Sequence, residues 1–389
     1  MKSIASQFEL ARHGDAPNMR PMEGMRGFAV FLVFLVHFVT LSSPWIPHYS
    51  PMEGFADSVH TLGNAGVDLF FVLSGYLIYG SILSRPQRFM PFIRRRIARI
   101  YPAFCVVFAI YLGLSFAFPK ESKIPVGALE GWKYVLENFL LLPGLFPIEP
   151  IITVAWSLSY EIFYYIAIPL LVGLFRLRQT SARWRVMFFV ALALAFTLYC
   201  ALHGGPGRLL MFFGGVLLHE AMQSQTLPVP RNSLVLGLLA TGLLSTTIAI
   251  QGTFLVKIFL LLTFFMLCYA CFRKPDSPLA RGFSWTPLRW LGNMSYSYYL
   301  VHGLALKVGF MVLFAKMPKV EHEILFVGAS LPLMFLLTLL PSACLFLLIE
   351  RPFSLSPALN AATPAKAPLP QFDNARPGRQ LQQGASHSG

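Results

Sequence analysis

The chain has 389 residues, 56% of them hydrophobic and only 12% charged, about half the charge of a soluble domain, which excludes a water-soluble globular protein. Its apolar runs reach the roughly 20 residues a helix needs to cross the hydrocarbon, and none shows the roughly ten-residue alternation of a barrel strand. The expected class is therefore all-α, a polytopic membrane protein with about ten transmembrane helices. The net charge of +14 would point to nucleic acid in a soluble protein. Here the cations sort by side of the membrane instead, and a lipid bilayer replaces nucleic acid as the expected partner.

Residues 1–26 are polar and basic and read as a loose cytoplasmic lead-in. Span one covers about 27–43, stopped by Pro44 and Pro47. Its polar marks are Arg26 and His37, eleven residues apart. At about 100° per residue they share one helix face, about 16 Å apart along it. An ionisable group deep in hydrocarbon costs several kcal/mol unless it turns to a protein interior, so His37 is a site candidate, with a structural interhelical bond as the alternative. Span two, about 62–83, contains GVDLFFVLSGYLI with Asp68, and Gly63, Gly66 and Gly75 are expected to let helices approach closely. The loop SRPQRFMPFIRRRIAR at 84–99 carries six arginines into span three, about 97–118.

A proline-containing outer loop follows at 119–151, then span four, about 152–175, with Glu161 in WSLSYE. Spans five (186–202) and six (207–222) are joined by the GGPG turn, and spans seven (233–250) and eight (253–272) follow. Span nine, about 291–315, carries His302, and span ten, about 324–349, ends at IERPF. The domain division is thus 1–26 lead-in, 27–353 membrane domain and 354–389 tail, the last rich in Pro, Ala, Gly and Gln and expected to be disordered in the cytoplasm. Of the 31 Lys and Arg, 23 fall on the side of the amino terminus, six on the other, and Lys257 and Lys307 within spans. That bias places both termini inside. The first span has no convincing small-residue cleavage site after it and reads as an uncleaved anchor. The five cysteines lie in apolar runs, and the Cys268–Cys271 CxxC lacks the second pair that zinc needs, so no metal is expected.

Counting about 1.5 Å per residue from each helix end, His37, His302 and Glu161 reach nearly one depth, with Asp68 somewhat closer to the outer surface. A histidine there can take a proton from an attacking hydroxyl while a carboxylate or second imidazole orients it, although proton relays use the same residue types. Arg94, Arg95, Arg96 and Arg99 beside span three, with Arg26 on the same side, suit phosphate oxygens; topology and lipid headgroups are the other reading. Arg96 and Arg99, three apart, are neighbours on a helix face.

Taken in order, Arg26 with His37, GVDLFFVLSGYLI at 66–78, RIAR at 96–99, WSLSYE at 156–161, SYSYYLVH at 295–302 and ERPF at 350–353 resemble the signatures of acyltransferase family three. These are membrane O-acyltransferases that decorate bacterial polysaccharides, lipopolysaccharide, peptidoglycan and some small molecules. The resemblance implies transfer of an acyl group, usually acetyl, from cytoplasmic acetyl-CoA to a hydroxyl, with no permanently bound cofactor. It implies His37 as the essential histidine and Arg26, Arg96 and Arg99 toward acyl-CoA; beside it, the shared depth makes Glu161 and Asp68 the expected orienting or charge-balancing partners of His37, and His302 a group behind it or on the acceptor side. A covalent acyl-histidine is the alternative to direct transfer. The implied location is the bacterial inner membrane, and the implied partners are acyl-CoA, a carbohydrate or lipid-linked glycan acceptor and glycan-assembly proteins. Some family members carry an additional extracytoplasmic hydrolase-like domain, and the roughly 36 residues after ERPF are too few for one. A small acceptor such as a macrolide is the alternative within the enzyme class, and a proton-coupled transporter the alternative outside it.

Overall fold

The computed structural model describes residues 4–10, 19–84, 86–248, 254–317 and 322–355, and these form helices with no strand among them. A short α1 (Ile4–Gln7) precedes α2 (Met19–Ser42). Helices α3 (Pro51–Gly63) and α4 (Ala65–Leu83) follow one another with only Asn64 between them. Next come α5 (Phe89–Ala117), α6 (Ala128–Phe139), α7 (Trp156–Leu174), α8 (Ala182–His203), α9 (Leu210–Ser224) and α10 (Asn232–Ile248). The last part comprises α11 (Phe254–Arg273), two short helices α12 (Pro278–Phe283) and α13 (Thr286–Asn293), then α14 (Ser295–Lys316) and α15 (Glu323–Leu345). A π-helical turn, Phe346–Ser354, closes the described chain, and the tail beyond residue 355 lies outside the described residues.

Eight stretches of the described residues are long and apolar enough to cross a membrane. Helices α9 and α10 stand where the sequence places spans six and seven, but they have 15 and 17 residues, or about 22 and 26 Å at the usual rise, against a hydrocarbon layer of about 30 Å. The outer surface of the bundle is apolar: along α8, Leu194, Leu198 and Leu202 are more than 60% exposed. A row of leucines at one-turn spacing facing outward is unfavourable in water and suited to lipid tails. The molecule is a multi-pass, all-α membrane protein.

Three boundaries differ from the sequence reading, the first for a packing reason. Helix α2 starts eight residues earlier, at Met19, because its polar first turns are satisfied from α12 and α13: Glu23 accepts from Arg289 Nε at 3.0 Å, Gly24 lets the backbone touch α12 at Phe283, and Gly27 and Gly292 let it touch α13. Part of the lead-in is ordered by the same contact. Arg289 Nη2 reaches Glu9 at 2.6 Å, and the Phe8 ring stacks on Phe346 at 5.6 Å. Helix α5 starts at Phe89, so Arg94, Arg95, Arg96 and Arg99 are helical residues, and the outer loop contains α6.

Helix α4 sits at the centre, with α2, α7, α9 and α11 packed around it. A Cβ on Gly66 would lie 2.5 Å from the Ala29 carbonyl oxygen of α2. One on Gly75 would lie 2.3 Å from that of Phe212 on α9, and one on Gly215 would lie 2.1 Å from that of Val72. Small residues thus let α4 be gripped from both sides, as close packing in lipid requires. A second apolar cluster joins α2 to α14 and α15 through Phe34, Phe38, Tyr298 and Phe310.

Candidate active site

Helices α2 and α14 are clipped together near both ends. Arg26 Nη2 donates to Ser295 Oγ at 2.9 Å, and Trp45 Nε1 donates to the Met317 carbonyl at 2.7 Å. Between these clips the rings of His37 and His302 meet edge to face, with centroids 5.0 Å apart. His302 is fully buried, and its Nδ1 lies 2.9 and 3.0 Å from the carbonyl oxygens of Tyr298 and Tyr299. A carbonyl can only accept, so Nδ1 carries the proton and Nε2 keeps a lone pair. That Nε2 is buried with no hydrogen-bond partner among the described residues. His37 is half-buried, so of the two imidazoles it is the more accessible. His60 of α3 lies within electrostatic reach of it.

Glu161, one turn into α7, accepts a hydrogen bond from Tyr165 at 2.5 Å. The four-residue spacing puts both on one face of α7. The Tyr165 ring meets the Arg96 guanidinium at 5.2 Å, and Arg96 Nη2 donates to Ser81 Oγ at 3.2 Å. Glu161 is also within electrostatic reach of Tyr296 and Tyr299 on α14, and Tyr299 lies 6.1 Å, ring to ring, from His302. A polar column therefore runs from Arg96 through Tyr165, Glu161 and the tyrosines of α14 to the histidine pair.

Arg99 touches this column, its guanidinium lying 5.8 Å from the Tyr296 ring centroid, and it makes a second contact. Its Nη1 lies 2.7 Å from Glu350 Oε1, with Glu350 wholly buried and also accepting from the Ser297 backbone N–H at 3.1 Å and its hydroxyl at 2.5 Å. The ERPF ending is thereby tied to α5 and α14. Asp68, 1% exposed, pairs with Lys257 Nζ at 2.8 Å and Arg208 Nε at 3.9 Å. It lies 13 residues from Ser81 along α4, about 20 Å from the Arg96 contact.

Of the seven sequence-derived candidates, the structure brings His37 and His302 into contact, ties Arg26 to Ser295 at the start of α14, and brings Arg96 and Glu161 together at Tyr165. Asp68 takes its partners from α11 and the turn before α9. Several polar groups were visible in the sequence without their roles. Lys257 is a lone cation in a span, which by itself demands a carboxylate partner. Glu350 is an acid at a span end, and Tyr165 stands one turn from Glu161. The His60 and Tyr299 contacts have no local signal. Among the described residues no group of three or more His, Cys, Asp and Glu could hold a metal ion.

The chain is 25% identical over 295 residues to the acyltransferase MdmB of Streptomyces mycarofaciens, covering 67% of this chain and 75% of that protein. It is 25% identical over 307 residues to the peptidoglycan O-acetyltransferase OatA of Listeria monocytogenes, covering 69% and 49%. It is also 25% identical over 279 residues to the O-acetyltransferase OatA of Staphylococcus aureus, covering 62% and 45%. The chain thus spans about half the length of each of these O-acetyltransferases. No solved structure matches it. The acyltransferase domain of the Acyl_transf_3 family matches residues 21–349, nearly the whole helical bundle, and the chain belongs to that family of O-acyltransferases.

Proposed function

We propose that this O-acyltransferase moves an acyl group, most simply acetyl, from acyl-CoA to a hydroxyl of a surface or lipid-linked carbohydrate. The observation that carries this reading is the column from Arg96 to the histidine pair, with a cation at one end and the half-buried His37 imidazole at the other. Phosphates of the donor sit at Arg96 with Arg26 nearby, and the pantetheine arm runs along the column. His37 takes the proton of the acceptor hydroxyl while the oxygen forms its bond to the thioester carbon. The C–S bond breaks, and the imidazolium returns the proton to the leaving thiolate. His302, unable to reach substrate, orients His37, and Glu161 balances the transient imidazolium through the intervening tyrosines. The relatives named as O-acetyltransferases support a hydroxyl acceptor, and glycan-assembly proteins present it.

The test is acyl transfer by membranes holding the full chain, with labelled acetyl-CoA and mass spectrometry of surface glycans with and without the protein. Label must leave CoA and appear on a glycan hydroxyl ester. Turnover that requires a macrolide in place of the glycan selects the small-molecule acceptor, and no turnover with any acyl-CoA defeats the reading.

Arg96→Ala is expected to raise the KM for acyl-CoA about ten- to hundredfold with little change in kcat, since a charge-assisted bond made equally in ground and transition states is worth about 1.5–3 kcal/mol. An unchanged KM returns Arg96 to a lipid-headgroup role. The proposed location is the bacterial inner membrane with both termini in the cytoplasm. Reporter fusions after residues 180 and 375 should then both report a cytoplasmic position, and an external signal from either breaks the topology.

A further inference from the structure

At the end of α4 opposite the Arg96 contact lies a cavity of about 450 Å³, lined by Trp156, Tyr160, the Gly205–Gly207 turn, Arg208 and Lys257. That size is within the range of small-molecule sites. Two features of its wall are chemical. Trp156 and Tyr160 stand one turn apart on α7, with ring centroids 5.7 Å apart and the ring planes at 77°, and both belong to the cavity wall. Arg208 and Lys257 both lean on the single buried carboxylate of Asp68. Two cations on one carboxylate leave one positive charge in excess. Arg208 is held ready: its guanidinium stacks over Trp156 at 5.5 Å, its Nη2 donates to Asn64 Oδ1 at 3.1 Å, and its Nη1 is buried without a hydrogen-bond partner among the described residues. The wall also leads to the reaction centre. Ser157, next to Trp156, shares a 2.8 Å hydrogen bond with the Tyr299 hydroxyl, and Tyr299 packs against His302.

We infer that this cavity seats the acceptor and selects a sugar that carries a negative charge, phosphate or carboxylate. The inference rests on the acyl-transfer reading for the word acceptor, but the binding it describes does not depend on catalysis. One aromatic ring of the wall lies against the C–H face of a sugar, and the partly exposed cations Arg208 and Lys257 take the anion. Asp68 sets the strength of the site by cancelling one of the two charges. A purely structural ion cluster joining α4, α11 and the turn before α9 has the same partners but makes the opposite prediction for Asp68.

The test titrates the full chain in detergent with glucose 1-phosphate, glucuronate and glucose, followed by tryptophan fluorescence, with Trp156→Phe as the variant that must lose the signal. At least one anion should saturate at a concentration about tenfold below glucose, the difference one charge-assisted contact makes. A preference for the phosphate identifies a phosphorylated or lipid-phosphate carrier, and one for the carboxylate a sugar acid. Arg208→Gln should remove the preference and Arg208→Lys should keep part of it. Asp68→Asn should tighten the anion severalfold, whereas loss of a structural ion cluster would weaken it along with the thermal stability of the protein. Equal titration by all three sugars, no saturable response to either anion, or weaker anion binding in Asp68→Asn overturns the inference. Acetyl-CoA turnover is scored in the same preparations. Turnover without anion preference defeats the cavity assignment alone, and anion binding without turnover defeats the acyl-transfer reading alone.

Discussion

His37→Ala is expected to lower acyl transfer about 10²- to 10⁴-fold at normal protein level, the usual cost of removing a positioned base. The structure supplies a reason why the loss should be chemical rather than structural. His37 is half-buried and meets His302 through a ring edge, whereas the α2–α14 pair is clipped independently by Arg26 with Ser295 and by Trp45 with Met317. Truncation at residue 37 leaves both clips in place. His37→Gln keeps packing and hydrogen bonding but cannot carry the proton, so it should be as inactive as alanine. The readout is transfer per folded protein in membranes from both variants. Near wild-type activity in the glutamine variant would remove His37 as base or nucleophile and pass the role to Glu161. His302→Gln adds a discriminating arm. If His302 orients His37 from behind, its loss should lower kcat and shift the pH profile of transfer while leaving the KM for acyl-CoA unchanged.

Arg99→Ala should be the most damaging substitution for folding among the arginines of α5. It leaves the carboxylate of Glu350, wholly buried, without the guanidinium 2.7 Å away. Breaking a buried pair from one side costs about 3–5 kcal/mol, because the remaining charge stays desolvated. The Arg99 side chain is 22% exposed, so solvent screening places the expected loss toward the lower end. Pairing the substitution with Glu350→Gln should recover most of the stability, since a neutral amide oxygen still accepts from the Ser297 N–H and hydroxyl and no charge is stranded. Thermal unfolding in detergent of the two single variants and the double variant measures this. A double variant that folds well and has an unchanged KM for acyl-CoA assigns Arg99 to architecture. One that folds well with a raised KM returns it to the donor site beside Arg96. Arg99→Ala as stable as wild type would show that the Arg99–Glu350 contact contributes nothing to the fold.

Much of this protein was legible one helix at a time. A crossing helix needs only a run of about 20 apolar residues, so all eight crossing stretches and the places of α9 and α10 follow from local composition. The shared face of Arg26 and His37 follows from the helical period, and the motif order shows the family. What failed locally were boundaries at polar residues. MRPMEGMR reads as lead-in until Arg289, more than 260 residues away, neutralises Glu23. The long-range partners were decided by the tertiary structure alone. Depth counting puts His37, His302, Glu161 and Asp68 near one level, but depth is one coordinate, and which side chains meet depends on how each helix is rotated about its axis and which neighbour it packs against. Gly75 and Gly215 seat α4 on α9, Gly66 seats it on α2, and those contacts turn Asp68 toward Lys257 and Arg208 while His37 faces His302. An ionisable side chain in lipid must find a partner, and the sequence states that need residue by residue. Which partner answers it is a property of packed backbones, fixed by contacts between segments far apart in the chain.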